Sequence, residues 1–399
     1  MNPGIKSGMA HKDESQLVQR IVIVAGYANS LVNFRGPLVK ALCDAGIEVH
    51  AVAPGLRADQ ETCRWLESWG VITHDVAMQR TGTNPLRDLS SLRSLYQLFR
   101  EIKPDAVLVY TIKPVIYGTL SAWLARVPQR FALITGLGYA FTGEARGKRR
   151  LVQWLVRRLY TQALARANRV FFQNPDDEAL FRQLGLLSDA VPSQVVNGSG
   201  IDTAHFVVSP PPEGLPRFLL IARLLGDKGV REYVAAAAQV RKQYPDILFS
   251  LVGDIDANPD SITRDELDEW IEAGHIEYLG GLSDVRPAIA AASVYVLPSY
   301  REGTPHTVLE AMAMGRPIIT TDAPGCRETV MEDDNGYLVP VKAVDKLAEA
   351  MLRFLRRPER VAKMGARSRA IAEEKYDVHK VNAAMLEGMG IEVAAPELG

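Results

Sequence analysis

Cysteine is scarce: the 399 residues hold three, Cys43, Cys63 and Cys326, odd in number and far apart. That fits a reducing, cytoplasmic setting better than a disulfide framework. Histidine is scarce too, at seven, and unclustered, so no metal site is expected. No segment approaches the ~20 continuous apolar residues of a spanning helix. The N-terminal stretch, with Lys6, Lys12, Asp13 and Glu14, lacks the apolar core of a signal peptide, so residues 1–19 are expected to be a mobile leader. A Walker loop and a Gly-x-Ser-x-Gly elbow are both missing. No nucleic-acid partner is expected.

What is present is ordinary for a globular chain, with 47% hydrophobic and 23% charged residues, but its length exceeds that of a single core, which predicts two domains. The net charge of −1 conceals an asymmetry. Residues 1–200 hold 24 Lys+Arg against 16 Asp+Glu, and the remainder 22 against 31. The basic half is suited to face something anionic.

"RIVIVAG" is a β-branched run ended by glycine, and "RGPLVKALCDAGIEVHAVAP" continues as helix, stop and strand. That alternation recurs through "PDAVLVY", "RFALITGLG" and "RVFFQNPDDEALFRQLG", then restarts with "FLLIARLL", "ILFSLVGD", "IEYLGG", "VYVLPS", "PIITTD" and "GYLVP". Apolar runs without polar alternation mark strands of parallel sheets covered by helices on both faces. The four prolines and one glycine of "VVSPPPEGLPR" make residues 207–217 the linker. The expected division is 20–206, 207–217 and 218–375, with a final helix and tail over 376–399.

In open parallel sheets chemistry gathers on the loops beyond the carboxyl ends of the strands. One such loop, "RLLGDKGV", offers Arg223 and Lys228 beside a helix start, which suits a diphosphate; one Arg and one Lys in a surface loop are also commonplace. Another, "REGTPHTVLE", places Glu302 before a helix favoured by Pro305 and Glu310 in its second turn. N–H groups near Gly303 and Thr304 can meet a phosphate or a sugar hydroxyl. A carboxylate repels phosphate, so each glutamate suits uncharged hydroxyls. Equally, Glu302 can simply answer the helix dipole and Glu310 can be a solvated helix residue.

Taken together, "ARLLGDKG", "VGD", "YLGGLSD", "YVLPSYREGTPHTVLEAMAMGRPIITTDAPGCRETV" and "DNGYLVP" resemble the retaining glycosyltransferases of family GT4, with the two-domain GT-B fold. The glutamates match that family's E-x7-E signature, and the likeness runs over residues ~20 to 385. It implies two Rossmann-like domains around a cleft, an acceptor-side N-terminal domain, a C-terminal nucleotide-sugar domain and a last helix that crosses back. Arg223 and Lys228 would hold the donor diphosphate and stabilise its departure, while Glu302, with Gly303 and Thr304, would meet the transferred sugar. Glu310 would bind the ribose, main chain near Leu282 the base, and Gly26 would approach the phosphates from the other domain. The UDP-sugar is then a substrate, and neither cofactor nor metal is implied.

"NFRGPLVKAL", "YTIKPVIYG", "FALITGLGYAFTG" and "FFQNPDDEALFRQLGL" are similar to bacterial members that add an N-acetylhexosamine, GalNAc or GlcNAc, to a polyprenyl-diphosphate-linked saccharide. Where many members carry a histidine near the donor sugar, this chain has Tyr110-Thr111-Ile112-Lys113. Arg35 and Lys113, on separate loops, are candidates for the acceptor's diphosphate; each alone also reads as a surface charge.

Residues 146–169 read as a basic helix, with Leu151, Val152, Trp154, Leu155, Val156 and Leu159 on one broad face and Arg149, Arg150, Gln153 and Arg157 opposite. Such a helix can lie on the inner face of the cytoplasmic membrane, or pack on its own sheet. Two other functions share the implied fold: a UDP-sugar epimerase or hydrolase, and a non-catalytic nucleotide-sugar-binding subunit.

Overall fold

The computed structural model describes residues 18–79, 85–136, 148–256, 258 and 260–391. Most of the expected leader, and the end of the tail, lie outside the described residues. Two all-parallel sheets account for the strands. The first contains β1 (Arg20–Val24), β2 (Glu48–Ala53), β3 (Ile72–Asp75), β4 (Ala106–Tyr110), β5 (Gln129–Ile134), β6 (Arg169–Phe172) and β7 (Ser193–Val195). The second contains β8 (Phe218–Ile221), β9 (Phe249–Val252), β10 (Glu277–Tyr278), β11 (Val294–Leu297), β12 (Ile318–Thr321) and β13 (Gly336–Val339).

The strand orders are 3-2-1-4-5-6-7 and 10-9-8-11-12-13. In register, Ile21 lies between Val49 and Ala106. The runs that lack polar alternation are the central strands, with Ile21 to Val24 and Phe218 to Leu220 buried under helices on both faces. Each order reverses once, between β1 and β4 and between β8 and β11. The loops after those four strands therefore open onto the two crevices where ligands bind.

The chain passes between the two sheets twice. Arg316, fully buried, fixes the proline-rich passage by donating to the carbonyls of Ser209 at 2.7 Å and Ile289 at 3.0 Å. On the return, the Ile201 N–H donates to the Tyr376 carbonyl at 2.8 Å, and the Val378 N–H to the Ile201 carbonyl at 3.1 Å. Asp377 then caps the helix Val378–Gly388. That helix buries Met385 and Leu386 in the first sheet's core, beside Ile21, Leu38 and Phe171.

The helix Lys148–Leu164 corrects the expected division of its faces. Val156, Leu159 and Tyr160 pack on the core, but Trp154 is 62% exposed and Leu155 45%. Trp154 lies one turn from Arg150 and near Arg157 and Arg158, so it shares their solvent face. The side chains of Arg149, Leu151 and Val152 lie outside the described residues. Among the described residues no helix is long and apolar enough to cross a membrane.

Candidate active site

The loop after β8 makes one tight 3-10 turn, Gly226–Lys228. It then enters the helix Val230–Arg241 through Gly229, whose φ is +72°. A Cβ there would stand 2.2 Å from the Pro298 carbonyl oxygen, so only glycine lets this turn close on the end of β11. The turn aims Lys228 at the loop after β11. Its Nζ stands 2.5 Å from Glu302 Oε1, which also accepts from Ser299 Oγ at 2.6 Å. Both charged side chains are mostly enclosed, at 19% and 14% exposure. In that setting each needs the other, because an enclosed charge without a partner is costly.

The helix His306–Ala313, which begins four residues after Glu302, has no side-chain cap on its first turn, so its leading N–H groups are open to an anion. Farther along, Glu310 Oε1 accepts from His306 Nδ1 at 3.0 Å. Its Oε2 is buried and has no hydrogen-bond donor among the described residues. A buried acceptor left over in this way suits a hydroxyl-bearing ligand. Arg223 is 52% exposed and paired with Asp256 at 2.9 Å. Its loop adjoins the ends of β9 and β10, since the Leu224 N–H donates to the Asp254 carbonyl and the Gly253 N–H to the Gly280 carbonyl. Leu282, half-exposed, follows in that same wall.

The first sheet supplies the facing side. Gly26, two residues past β1, lies so close to Thr111 that a Cβ would stand 2.5 Å from its Oγ1. Thr111 itself takes φ +69°, a conformation costly for a β-branched residue and characteristic of functional loops. A turn of π-helix, Pro114–Gly118, follows, another feature that recurs at such sites. Around them lies a cavity of about 300 Å³, lined by Gly26, Gln79, Thr111, Lys113 and Gly136 among others. Lys113 reaches it with its charge already engaged by Asp88 at 2.8 Å.

Arg35 is not the surface charge its loop suggested. It is 2% exposed and lies over the Tyr110 ring at 5.5 Å. Burial lowers its pKa to about 10, and it does not line the cavity. Its neighbour Phe34 meets His306 edge to face at 5.6 Å across the domain boundary.

Sequence reasoning missed the residues that join the domains here. Asn174 Nδ2 donates to the carbonyls of Gly303 at 2.8 Å and Glu302 at 3.3 Å. Thr304 Oγ1 donates to the Gln173 carbonyl at 3.0 Å. "QNPDD" signalled only a helix start, with Asn174 as cap and Pro175 behind it.

Lys228, Glu302, Gly303, Thr304 and Glu310 are thus gathered around one helix start, with Arg223 and Leu282 on the flanking wall and Gly26 on the opposite domain. A family model for glycosyl transferases group 1 matches residues 215–357, and one for a glycosyl transferase 4-like domain matches 34–198. A Campylobacter jejuni relative, N,N'-diacetylbacillosaminyl-diphospho-undecaprenol alpha-1,3-N-acetylgalactosaminyltransferase, is 30% identical over 343 residues, 83% of this chain and 88% of that one. The chain belongs to the group 1 glycosyltransferases.

An Escherichia coli UDP-Gal:alpha-D-GlcNAc-diphosphoundecaprenol alpha-1,3-galactosyltransferase is 28% identical over 67% of this chain and 70% of that one. Sucrose-phosphate synthase from Thermosynechococcus elongatus superposes with a TM-score of 0.76 at 19% identity, covering 92% of this chain and 98% of that one. The fold of this glycosyltransferase is GT-B, two Rossmann-like domains meeting at a cleft.

Proposed function

We propose that this glycosyltransferase moves a sugar, an N-acetylhexosamine, from a UDP-sugar to an undecaprenyl-diphosphate-linked saccharide with retention of anomeric configuration. The observation that carries the reading is the Lys228–Glu302 pair, 2.5 Å apart, set against an uncapped helix start with the leftover Glu310 oxygen on the same helix. A nucleoside diphosphate sugar presents matching chemistry along its length. Its phosphates take Lys228 and the helix N–H groups, while its ribose diol takes Glu310 and its sugar hydroxyls take Glu302.

Departure of UDP concentrates negative charge on the diphosphate, so the same cations stabilise the transition state more than the ground state. Lys228, Arg223 and the helix start supply the positive charge, and no divalent metal is required in this reading. The names of the two relatives support a lipid-linked acceptor, and the UDP-Gal of one supports uridine in the donor. Lys113, which shares a cavity with Gly26 and Thr111, is the candidate for the acceptor's diphosphate. The exposed Arg150, Trp154 and Arg157 face is suited to the inner leaflet of the cytoplasmic membrane, where the protein would work peripherally.

UDP release over a panel of UDP-sugars with lipid-linked mono- and disaccharides tests this assignment, followed by NMR of the product's anomeric centre. A retained configuration from a UDP-N-acetylhexosamine is expected. Inversion, or turnover as fast without acceptor, would overturn it.

A further inference from the structure

The loop that carries Glu302 belongs to the C-terminal domain, yet it is held from the other side. Arg301 Nη2 and Nε, the latter at 3.2 Å, both donate to Asp177 Oδ1. The carbonyls of Glu302 and Gly303 accept from Asn174 Nδ2, and Thr304 Oγ1 donates to the Gln173 carbonyl. All three holding residues follow β6 in the N-terminal domain. The fit is tight, since a Cβ on Gly303 would lie 2.5 Å from the Thr135 carbonyl oxygen. Asp177 is fully buried.

Asn174 uses both ends of its amide. Its Oδ1 accepts from the Asp177 N–H at 2.8 Å and caps the helix Pro175–Gln183, while its NH₂ donates to Asp177 Oδ2 at 3.2 Å as well as to the loop. A carboxylate would still present an oxygen to cap that helix but would face the Glu302 and Gly303 carbonyls, and Asp177 Oδ2 at 3.2 Å, with no proton to donate. Asp177, in the first turn, sits where the helix dipole favours an anion; its Oδ1 takes Arg301 and its Oδ2 the Asn174 NH₂. Helix stability alone would not need the contacts with the loop.

We infer that Asn174 and Asp177 are positioning residues. They hold the Glu302 loop in its reacting geometry from the acceptor-side domain, so the donor site is complete only while the two domains are in contact. If the domains part, two carbonyls lose their donor and Arg301 loses its anion. The nucleotide's other anchors, Arg223, Lys228 and Glu310, all sit on the C-terminal domain and remain. Donor binding and donor reaction thereby depend on different surfaces. The inference rests on the donor assignment above for its kinetic form.

The test uses the full-length protein with Asn174→Asp, Asp177→Asn, Arg301→Gln and the Asp177→Asn/Arg301→Gln double variant. For Asn174→Asp, which keeps the helix cap, kcat should fall about 10- to 100-fold, the scale of a small misplacement at a reacting centre. UDP affinity by calorimetry should stay within about twofold, because its ligands are untouched. The double variant should lose no more than the worse of its two parents, as residues acting through one contact do. Amide hydrogen exchange across residues 300–308 should quicken in every variant. An unchanged kcat, a UDP affinity that falls in step with kcat, or multiplicative losses in the double variant would each overturn the inference. The exchange measurement needs no donor: unchanged exchange sinks the inference whatever the reaction is, whereas a wild-type enzyme inert toward every UDP-sugar sinks the donor assignment alone.

Discussion

Lys228 and Glu302 lie 2.5 Å apart, and each is the other's principal charge partner in the site before any donor arrives. A diphosphate entering beside Lys228 competes for the same ammonium. In the proposed donor complex Glu302 would then be released toward the sugar hydroxyls, with Ser299, 2.6 Å from Oε1, still holding it. Lys228→Ala should therefore lower kcat about 10²- to 10³-fold, the loss seen when one donor to a developing anion is removed. It should also destabilise the fold by about 1–3 kcal/mol through the enclosed carboxylate left behind. Glu302→Gln should keep UDP affinity while losing transfer. Initial rates at saturating donor, alongside thermal unfolding, check both.

Glu310 should behave differently from Glu302. In the proposed donor complex its leftover Oε2 would take the ribose, which does not change during reaction. Glu310→Gln should weaken UDP binding about tenfold, as a hydrogen bond to a charged group is worth about 1.5–3 kcal/mol. The change should appear in KM with kcat nearly intact, the mark of uniform binding. Calorimetry with UDP and with inorganic diphosphate, which lacks the ribose, separates ribose loss from phosphate loss.

The legible parts of this protein were those that local chemistry decides. Apolar runs without polar alternation marked the central strands of both sheets, and Pro305 marked the start of the helix that follows Glu302. Arg35 was misread because a charged residue between Phe34 and Gly36 looks like a surface turn. It is the ring of Tyr110, 75 residues downstream, that allows its burial. Asn174 showed its cap but not its second contact, since that contact depends on how two domains meet. Trp154 was grouped with the apolar stripe opposite the arginines although it lies one turn from Arg150, and the core at Val156 and Tyr160 decides which stripe turns inward.

Gly303→Ala offers a steric probe of the domain contact. The added Cβ would lie 2.4 Å from Gln173 Oε1 as well as near the Thr135 carbonyl, and backbone cannot yield as a side-chain tip can. A stability loss of about 1–3 kcal/mol is expected from overpacking, together with loss of transfer. Denaturant unfolding measures the first; a neutral result would mean that the contact is loose in solution.

Acid should weaken the N-terminal sheet through His74. Its ring meets His50, Nε2 to Nδ1 at 2.9 Å, and burial first, then the His50 charge, holds its pKa below the ordinary 6.5. The unfolded chain takes up this proton near pH 6.5 and the folded chain only at lower pH. The contribution is therefore full above pH 6.5 and lost as pH falls through the folded value. Melting temperature followed from pH 7.5 to 5.5 should drop more steeply in the wild type than in His74→Gln. Parallel profiles would remove His74 from the acid response.

The basic helix makes the last prediction. Trp154, 62% exposed, stands among Arg150, Arg157 and Arg158, and an exposed tryptophan in a cationic face gains little in water but sits well at a headgroup boundary. Vesicles containing anionic lipid should retain the protein more strongly than neutral ones. Arg150→Gln and Arg157→Gln should each weaken retention about fivefold, corresponding to ~1 kcal/mol per cation near such a surface. Trp154→Asn should weaken it on either vesicle type, because its share is apolar. Salt should reverse the arginine contribution and leave that of the tryptophan, since a Debye length near 8 Å at physiological ionic strength screens only the charges. Equal sedimentation of wild type and variants with anionic vesicles would return this helix to the role of a solvated cover for its own sheet.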